Sequence, residues 1–150
     1  LDQDTDAIRA LYQSNGFAGV EVRSSLHPAA DSGEGIVVSF EIVEGPQTSI
    51  GTFALSGNHN FTTEQLEPYI NAAVGQPYSE SMVATDRNIL LTYYWNAGFP
   101  QARFDSAVSA PGEGGRVNLE YTIEEGEPES VAHIVVGGLE HTRVGVVNRQ

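Results

Sequence analysis

Residues 11–22, LYQSNGFAGVEV, and residues 93–104, YYWNAGFPQARF, are one segment written twice, and the stretches downstream of each recur as well: IVVSFEIVEGP at 36–46 and FALSGN at 53–58 reappear as VNLEYTIEEGE at 117–127 and IVVGGL at 134–139. Gly16 maps onto Gly98, an offset of 98 − 16 = 82, and Gly45 onto Gly126, an offset of 126 − 45 = 81, so one residue is lost from the loop between them. A period of about eighty residues exceeds the roughly 20–50 residues of solenoid repeats, so each copy is expected to be a small domain with its own core. The copies are cut in different places. Residues 47–127 read as one complete unit, 1–46 as the C-terminal part of a unit before it and 128–150 as the N-terminal part of one after it; the expectation is a piece of a longer array.

Within the complete unit, a short strand over 50–55 ends at the turn Ser56-Gly57-Asn58, where Gly57 suits a positive φ. Thr62 reads as an N-cap with Gln65 completing a capping box and Phe61 placed to staple onto Leu66. Leu66, Ile70 and Val74 make one apolar stripe, predicting a helix that stops at Gly75 ahead of Pro77. Ser79 caps a second helix, with Tyr78 stapled onto Val83 and a face of Met82, Ile89, Leu90, Tyr93 and Tyr94. If Gly98 is the left-handed residue that ends it, Phe99 should contact Tyr94, and Gly16 assigns the same pair to Phe17 and Tyr12. Strands over 20–26 and 36–43, and over 102–108 and 117–123, follow as hairpins around DSGEG and PGEGG. Val117, Leu119, Tyr121 and Ile123 alternate with Asn118, Glu120, Thr122 and Glu124, so one face of that strand is dry. The fold class is α+β: tandem two-layer domains, each β-α-α-β-β, with a three-stranded mixed sheet covered on one face by two helices.

Seven Lys plus Arg against twenty Asp plus Glu give a formal charge of −13. That excludes nucleic acid, whose binding needs cations to displace phosphate counterions, and docking on an anionic membrane surface. No apolar run approaches the roughly 18–20 residues of a membrane-spanning helix. Without cysteine there is no disulfide and no thiolate metal site.

The order of elements, with these residues, resembles the polypeptide-transport-associated (POTRA) repeat of the Omp85 family, whose members insert β-barrel proteins into outer membranes. The resemblance rests on Gly57-Asn58 followed by Phe61, on Gly75-Gln76-Pro77-Tyr78-Ser79, on Asp86 ahead of Tyr94, Gly98 and Phe99, and on Ile123-Glu124-Glu125-Gly126. Asp4, Tyr12, Gly16, Phe17 and Ile42-Val43-Glu44-Gly45-Pro46 stand at matching places in the first copy, and Gly138-Leu139 with Thr142-Arg143 look like the opening of a third unit. The resemblance implies a periplasmic portion of an outer-membrane protein, anchored by a C-terminal barrel. It implies unfolded outer-membrane proteins as clients, and accessory assembly lipoproteins or periplasmic chaperones as further partners. It also implies that the third strand is central and the second lies at an edge, where an extended client can add a strand. On that edge Ala102, Phe104, Ser106 and Val108 are expected to face the helices and Arg103, Asp105 and Ala107 to face outward, so that proline at position 105 would remove an edge donor at little cost. Glu44, Gly45 and Pro46, and likewise Glu125, Gly126, Glu127 and Pro128, are expected to be inter-unit joints of limited flexibility. Related repeats also serve two-partner secretion transporters and plastid protein-import pores, and single copies serve structural or cell-division proteins.

The remaining candidates for chemistry carry bland readings. His27, His59, His133 and His141 lack ligand spacing, and no nucleophile elbow or phosphate loop is present, so neither catalytic residues nor a cofactor or metal is expected. Glu124 and Glu125 point to opposite faces as strand neighbours and read as a solvated strand end. Asp86, matched by Asp4, reads as a capping or core-edge hydrogen-bond acceptor. Asn60-Phe61-Thr62 fits a glycosylation sequon, but Thr62 already has a capping role. Trp95, where the first copy has Gln13, reads as a partly buried flank residue. The half sheet of the first copy would leave Ile36, Val38, Phe40 and Ile42 on an unpaired edge, and head-to-tail self-association is expected to cover it with residues 131–136 of a second molecule.

Overall fold

The computed structural model describes residues 1–29, 35–130 and 132. Its organising element is the strand with the cleanest alternation, β5 (Arg116–Glu124), in which Val117, Leu119, Tyr121 and Ile123 are buried and every residue between them is exposed. A strand dry on one face and bonded on both sides is a central one. β3 (Ser49–Ser56) pairs with it in parallel, Phe53 beside Leu119 and Leu55 beside Tyr121. β4 (Arg103–Val108) pairs antiparallel, Phe104 beside Ile123, which makes the order β3-β5-β4. β1 (Glu21–Pro28) and β2 (Ile36–Val43) form a separate antiparallel pair. The expected strand at 131–136, with His133, His141 and Thr142, lies outside the described residues.

The long helix α3 (Glu80–Asn96) is bounded by local chemistry. The Ser79 hydroxyl accepts from the Met82 N–H at 3.2 Å, and the other end closes as a Schellman motif: Phe99 N–H donates to Tyr94 C=O at 2.9 Å and Gly98 N–H to Trp95 C=O at 3.1 Å, with Gly98 at φ +91°. α1 (Asp2–Ser14) ends identically, Phe17 N–H on Tyr12 C=O and Gly16 N–H on Gln13 C=O, both at 3.1 Å. The aromatic contact closes in both copies, with ring centroids 5.9 Å apart for Tyr94–Phe99 and 5.7 Å for Tyr12–Phe17. Leu91, which the expected helix face omits, is buried beside Leu90.

The first helix is much shorter than its stripe predicts. The Thr62–Gln65 capping box forms, but α2 spans only Thr63–Leu66 and passes into a single 3₁₀ turn, Glu67–Tyr69, after which Ile70 is extended at φ −109°, ψ 124°. Pro68 has no N–H to donate and its ring conflicts with a helical carbonyl four residues back. Beyond it, Asn71 and Ala72 give their N–H groups to the Asp86 carboxylate at 2.8 and 3.0 Å, so a helix has no claim on them. Val74 is consequently 66 % exposed and Ala72 takes the buried place.

Phe61, expected as a local staple, packs edge-on against Tyr93 and Tyr94 with centroids 5.1 Å away and against Phe99 at 5.8 Å. These rings, with Leu66, Leu90, Leu119 and Tyr121, make one core between the helices and the sheet. Among the described residues the first copy has no such cover. Ile36, Val38 and Phe40, the counterparts of Val117, Leu119 and Tyr121, are 71, 45 and 36 % exposed where those are 2 % or less. Ala29 N–H donates to Gly35 C=O across the β1–β2 pair, so by alternation the main-chain groups of Ile36, Val38, Phe40 and Ile42 point away from β1, toward an edge with no strand on it among the described residues.

Candidate functional site

Two carboxylates fix the ground on which the edge strand stands. Asp86, wholly buried on α3, accepts at one oxygen from Asn71 N–H (2.8 Å) and Asn71 Nδ2 (2.7 Å), and at the other from Ala72 N–H and the Tyr121 hydroxyl, both at 3.0 Å. It therefore ties the stretch after α2 to the central strand, the hydrogen-bonding role expected of it. Burial, and then the Asp86 charge, drive the Tyr121 hydroxyl far above the ordinary tyrosine value.

Glu125 corrects its expectation as a solvated strand end: it is 6 % exposed. Its oxygens accept from Asn60 N–H at 3.0 and 3.1 Å, from the Asn60 side chain, and from the Tyr94 hydroxyl at 3.0 Å. Burial alone pushes its carboxyl up, but the backbone and side-chain bonds from Asn60, the Tyr94 hydroxyl and nearby His59 outweigh it and hold the group below the usual carboxylate range. Asn60, read from sequence only as part of a sequon, is thus a structural donor. Glu124 is exposed, as strand parity requires.

The segment predicted as the edge, Ala102 through Val108, lies at the edge of the three-stranded sheet, with one change at its start. Ala102 is buried and its N–H closes the turn onto Phe99 C=O at 3.2 Å, so the strand begins at Arg103. Phe104 packs on Tyr121 with centroids 4.8 Å apart. Ser106 and Val108, expected to face the helices, share the parity of Phe104 but are exposed, Val108 lining an open cleft with Ser79, Glu80 and Ser81 at the start of α3. Arg103, Asp105 and Ala107 are exposed as expected.

Register decides which main-chain groups on β4 are unspent. Ser109 N–H donates to Asn118 C=O at 3.0 Å, and residues 109 and 118 continue the register in which Arg103 faces Glu124. Antiparallel pairs alternate, so residues 103, 105 and 107 bond to β5 while the N–H and C=O groups of Phe104, Ser106 and Val108 point outward. The expectation for proline at 105 is therefore corrected. The Asp105 N–H belongs to the ladder; Ser106 is the position whose N–H faces the open edge.

Alongside that edge, α3 and β4 enclose a cleft of about 470 Å³ lined by Arg87, Leu91, Trp95, Arg103 and Phe104 among others. Trp95 is 51 % exposed, more than a flank residue, and stands on the cleft wall. No group of three or more His, Cys, Asp or Glu able to hold a metal occurs among the described residues, and no helix among them is long and apolar enough to cross a membrane.

The segments expected as joints share one geometry. Gly45 and Gly126 have φ of +73° and +71°. Three residues beyond each, the chain is bonded to the carbonyl of the glycine that ends the preceding helix: Thr48 N–H to Gly16 C=O at 2.8 Å, and Glu129 N–H to Gly98 C=O at 2.7 Å. Side chains reinforce both contacts, Gln47 Nε2 on Asn15 C=O at 2.9 Å and Gln101 Nε2 on the Glu129 carboxylate at 3.0 Å. Glu44 stands beside Tyr12 as Glu125 does beside Tyr94; partial burial and then Glu44 raise the Tyr12 hydroxyl.

Residues 49–126 match the family model of POTRA, the surface antigen variable number repeat. The chain is 27 % identical over 155 residues to the outer membrane protein assembly factor BamA of Nitratidesulfovibrio vulgaris, covering 100 % of this chain and 19 % of that protein. It is 27 % identical over 145 residues to a putative outer membrane protein assembly factor of Treponema pallidum, covering 90 % of this chain and 17 % of that protein. The chain thus spans about a fifth of the length of these relatives. Among solved structures, the Haemophilus influenzae BamA POTRA3-5 crystal structure superposes with a TM-score of 0.54 at 19 % identity, covering 85 % of this chain and 50 % of that one.

Proposed function

The chain belongs to the POTRA family, and on that premise we propose that it is a periplasmic module of an outer-membrane β-barrel assembly protein, one that holds extended segments of unfolded client proteins along β4. Accessory assembly lipoproteins or periplasmic chaperones are its further partners. On this reading it is a scaffold with no enzymatic step. The observation that supports it is the row of outward main-chain groups at Phe104, Ser106 and Val108 beside an open cleft. Pairing through N–H and C=O tolerates many client sequences, which suits a partner defined by being unfolded.

Two proline substitutions test this. Ser106→Pro removes an outward donor and should leave the unfolding free energy in urea within about 1 kcal/mol of the parent while abolishing peptide-induced NMR shifts along β4. Asp105→Pro removes a ladder donor instead and should destabilise the unit by about 1–3 kcal/mol, the cost of leaving its partner carbonyl on β5 unpaired. Peptide shifts that survive in Ser106→Pro would place the docking site elsewhere.

We propose further that the two joints bend little, because each linker is fastened to the helix end before it, and that a second copy of the chain covers the bare edge of β2. One small-angle scattering series over concentration reads both. Expected are growth of the radius of gyration with concentration and, extrapolated to infinite dilution, a profile fitted by a narrow range of inter-unit angles. Concentration-independent scattering would remove the self-association; a profile needing freely rotating units would remove the stiff joints.

A further inference from the structure

We propose that the cleft between α3 and β4 selects among extended segments, favouring those that present a carboxylate, an aliphatic and an aromatic side chain at successive alternate positions. The proposal rests on the edge-strand reading and says what that edge prefers.

The α3 wall of the cleft is a single stripe, Arg87, Leu91 and Trp95, at positions i, i+4 and i+8. Four residues of helix rise about 6 Å. Alternate side chains of a strand stand about 6.8 Å apart. A strand added to β4 therefore offers successive inward side chains at nearly the spacing of the stripe, one to each of its residues. Leu91 is 5 % exposed and forms an apolar floor, and Trp95, 51 % exposed, offers an uncovered ring face.

Arg87 is the cation of this stripe without a counter-charge. Its neighbour Asp86 has both oxygens occupied by Asn71, Ala72 and Tyr121. The acids of the cleft, Asp105 and Glu124, stand on the strand wall around Arg103, Glu124 directly opposite it in the ladder. Neither Arg87 nor Arg103 enters an ion pair among the described residues, but Arg103 has two acids beside it and Arg87, on the helix stripe, has none free.

The first copy serves as an internal control. At an offset of 82 the stripe reads Thr5, Arg9 and Gln13, and Arg9 is held by Asp6 at 2.6 Å. The places of Arg103 and Asp105 are taken by Glu21 and Arg23, which bind each other at 2.9 Å. Where the first copy spends its charges internally and has no aromatic residue on the stripe, the second leaves Arg87 and Trp95 open to a partner.

The net charge of −13 acts on any acidic peptide, so the test compares peptides of identical composition. Ten-residue extended peptides carrying Glu-x-Leu-x-Phe, or the reverse order, are titrated into the full chain alongside isomers with the Glu moved by one position to the opposite face. Trp95 is the sole tryptophan, so its emission reports the cleft directly, with β4 amide shifts as the second readout. One orientation of the in-register peptide should bind about five-fold tighter than its isomer, the range of a partly exposed ion pair. Arg87→Gln should erase that difference and leave the isomer's affinity unchanged. Equal binding of all isomers, abolished by Ser106→Pro, would overturn the carboxylate preference and leave the edge reading standing. Binding indifferent to Ser106→Pro would overturn the edge reading, and no response from Trp95 or β4 to any peptide would overturn both.

Discussion

Asp86→Ala is expected to destabilise the complete unit by about 3–5 kcal/mol, a large share of the roughly 5–15 kcal/mol that holds a domain folded. The loss exceeds that of an ordinary hydrogen bond because three groups are stranded at once. The Asn71 and Ala72 N–H groups and the Tyr121 hydroxyl point into a site the carboxylate alone fills, while the fourth donor, the Asn71 side-chain amide, belongs to an exposed residue and can turn to water; each buried orphan costs about 1–3 kcal/mol. Asp86→Asn should recover part of this, since its single carbonyl oxygen can face one pair of donors while its amide confronts the other. Tyr121→Phe, which removes a donor and leaves three in place, should cost about 1–1.5 kcal/mol. Urea unfolding with an unchanged m-value checks the order. A loss below 1 kcal/mol for Asp86→Ala would mean that the stretch after α2 finds its donors other partners.

The second large effect is expected at Gly57, and another glycine separates its causes. Gly57 and Gly75 have nearly the same φ, +80° and +87°. A Cβ on Gly75 would meet nothing within 4 Å, so Gly75→Ala should cost only the left-handed strain, about 1–2 kcal/mol. A Cβ on Gly57 would run into the Ile123 carbonyl at the end of β5. Neither side of that collision is a side chain that can swing aside. Gly57→Ala should therefore cost about 3 kcal/mol or more, the excess over Gly75→Ala being the displacement of the strand end. Equal midpoints for the two variants would show that the turn slides off β5 freely.

How much was legible before the fold was known depends on the range of the interaction. The Thr62–Gln65 box, the Ser79 cap and the two glycine-terminated helices read correctly because every partner lies within five residues. The alternation of β5 read correctly because it depends on one core direction. The overlong first helix was an error of weighting: Pro68 was as visible as the apolar stripe, and the competing acceptor, Asp86, is 15 positions from Asn71. Glu125 was less accessible still. Parity placed it opposite Glu124, on the dry face, but a carboxylate there makes sense only when Asn60, 65 positions away, and Tyr94, 31 away, converge on it.

By itself, then, the sequence determined the repeat, its period, the element order and the caps, since these are repetitions or contacts along the chain. The edge position of β4 entered by resemblance, and the register of that edge belongs to the tertiary structure alone. Whether residue 105 or residue 106 turns its N–H outward depends on which residue of β5 stands opposite, and a one-residue slip would exchange them. The same holds for the exposure of the two sheets. Val38 and Leu119 are the same residue of the repeat, yet one is 45 % exposed and the other 2 %, because burial is conferred by the strand and helices packed over a position rather than by the position itself.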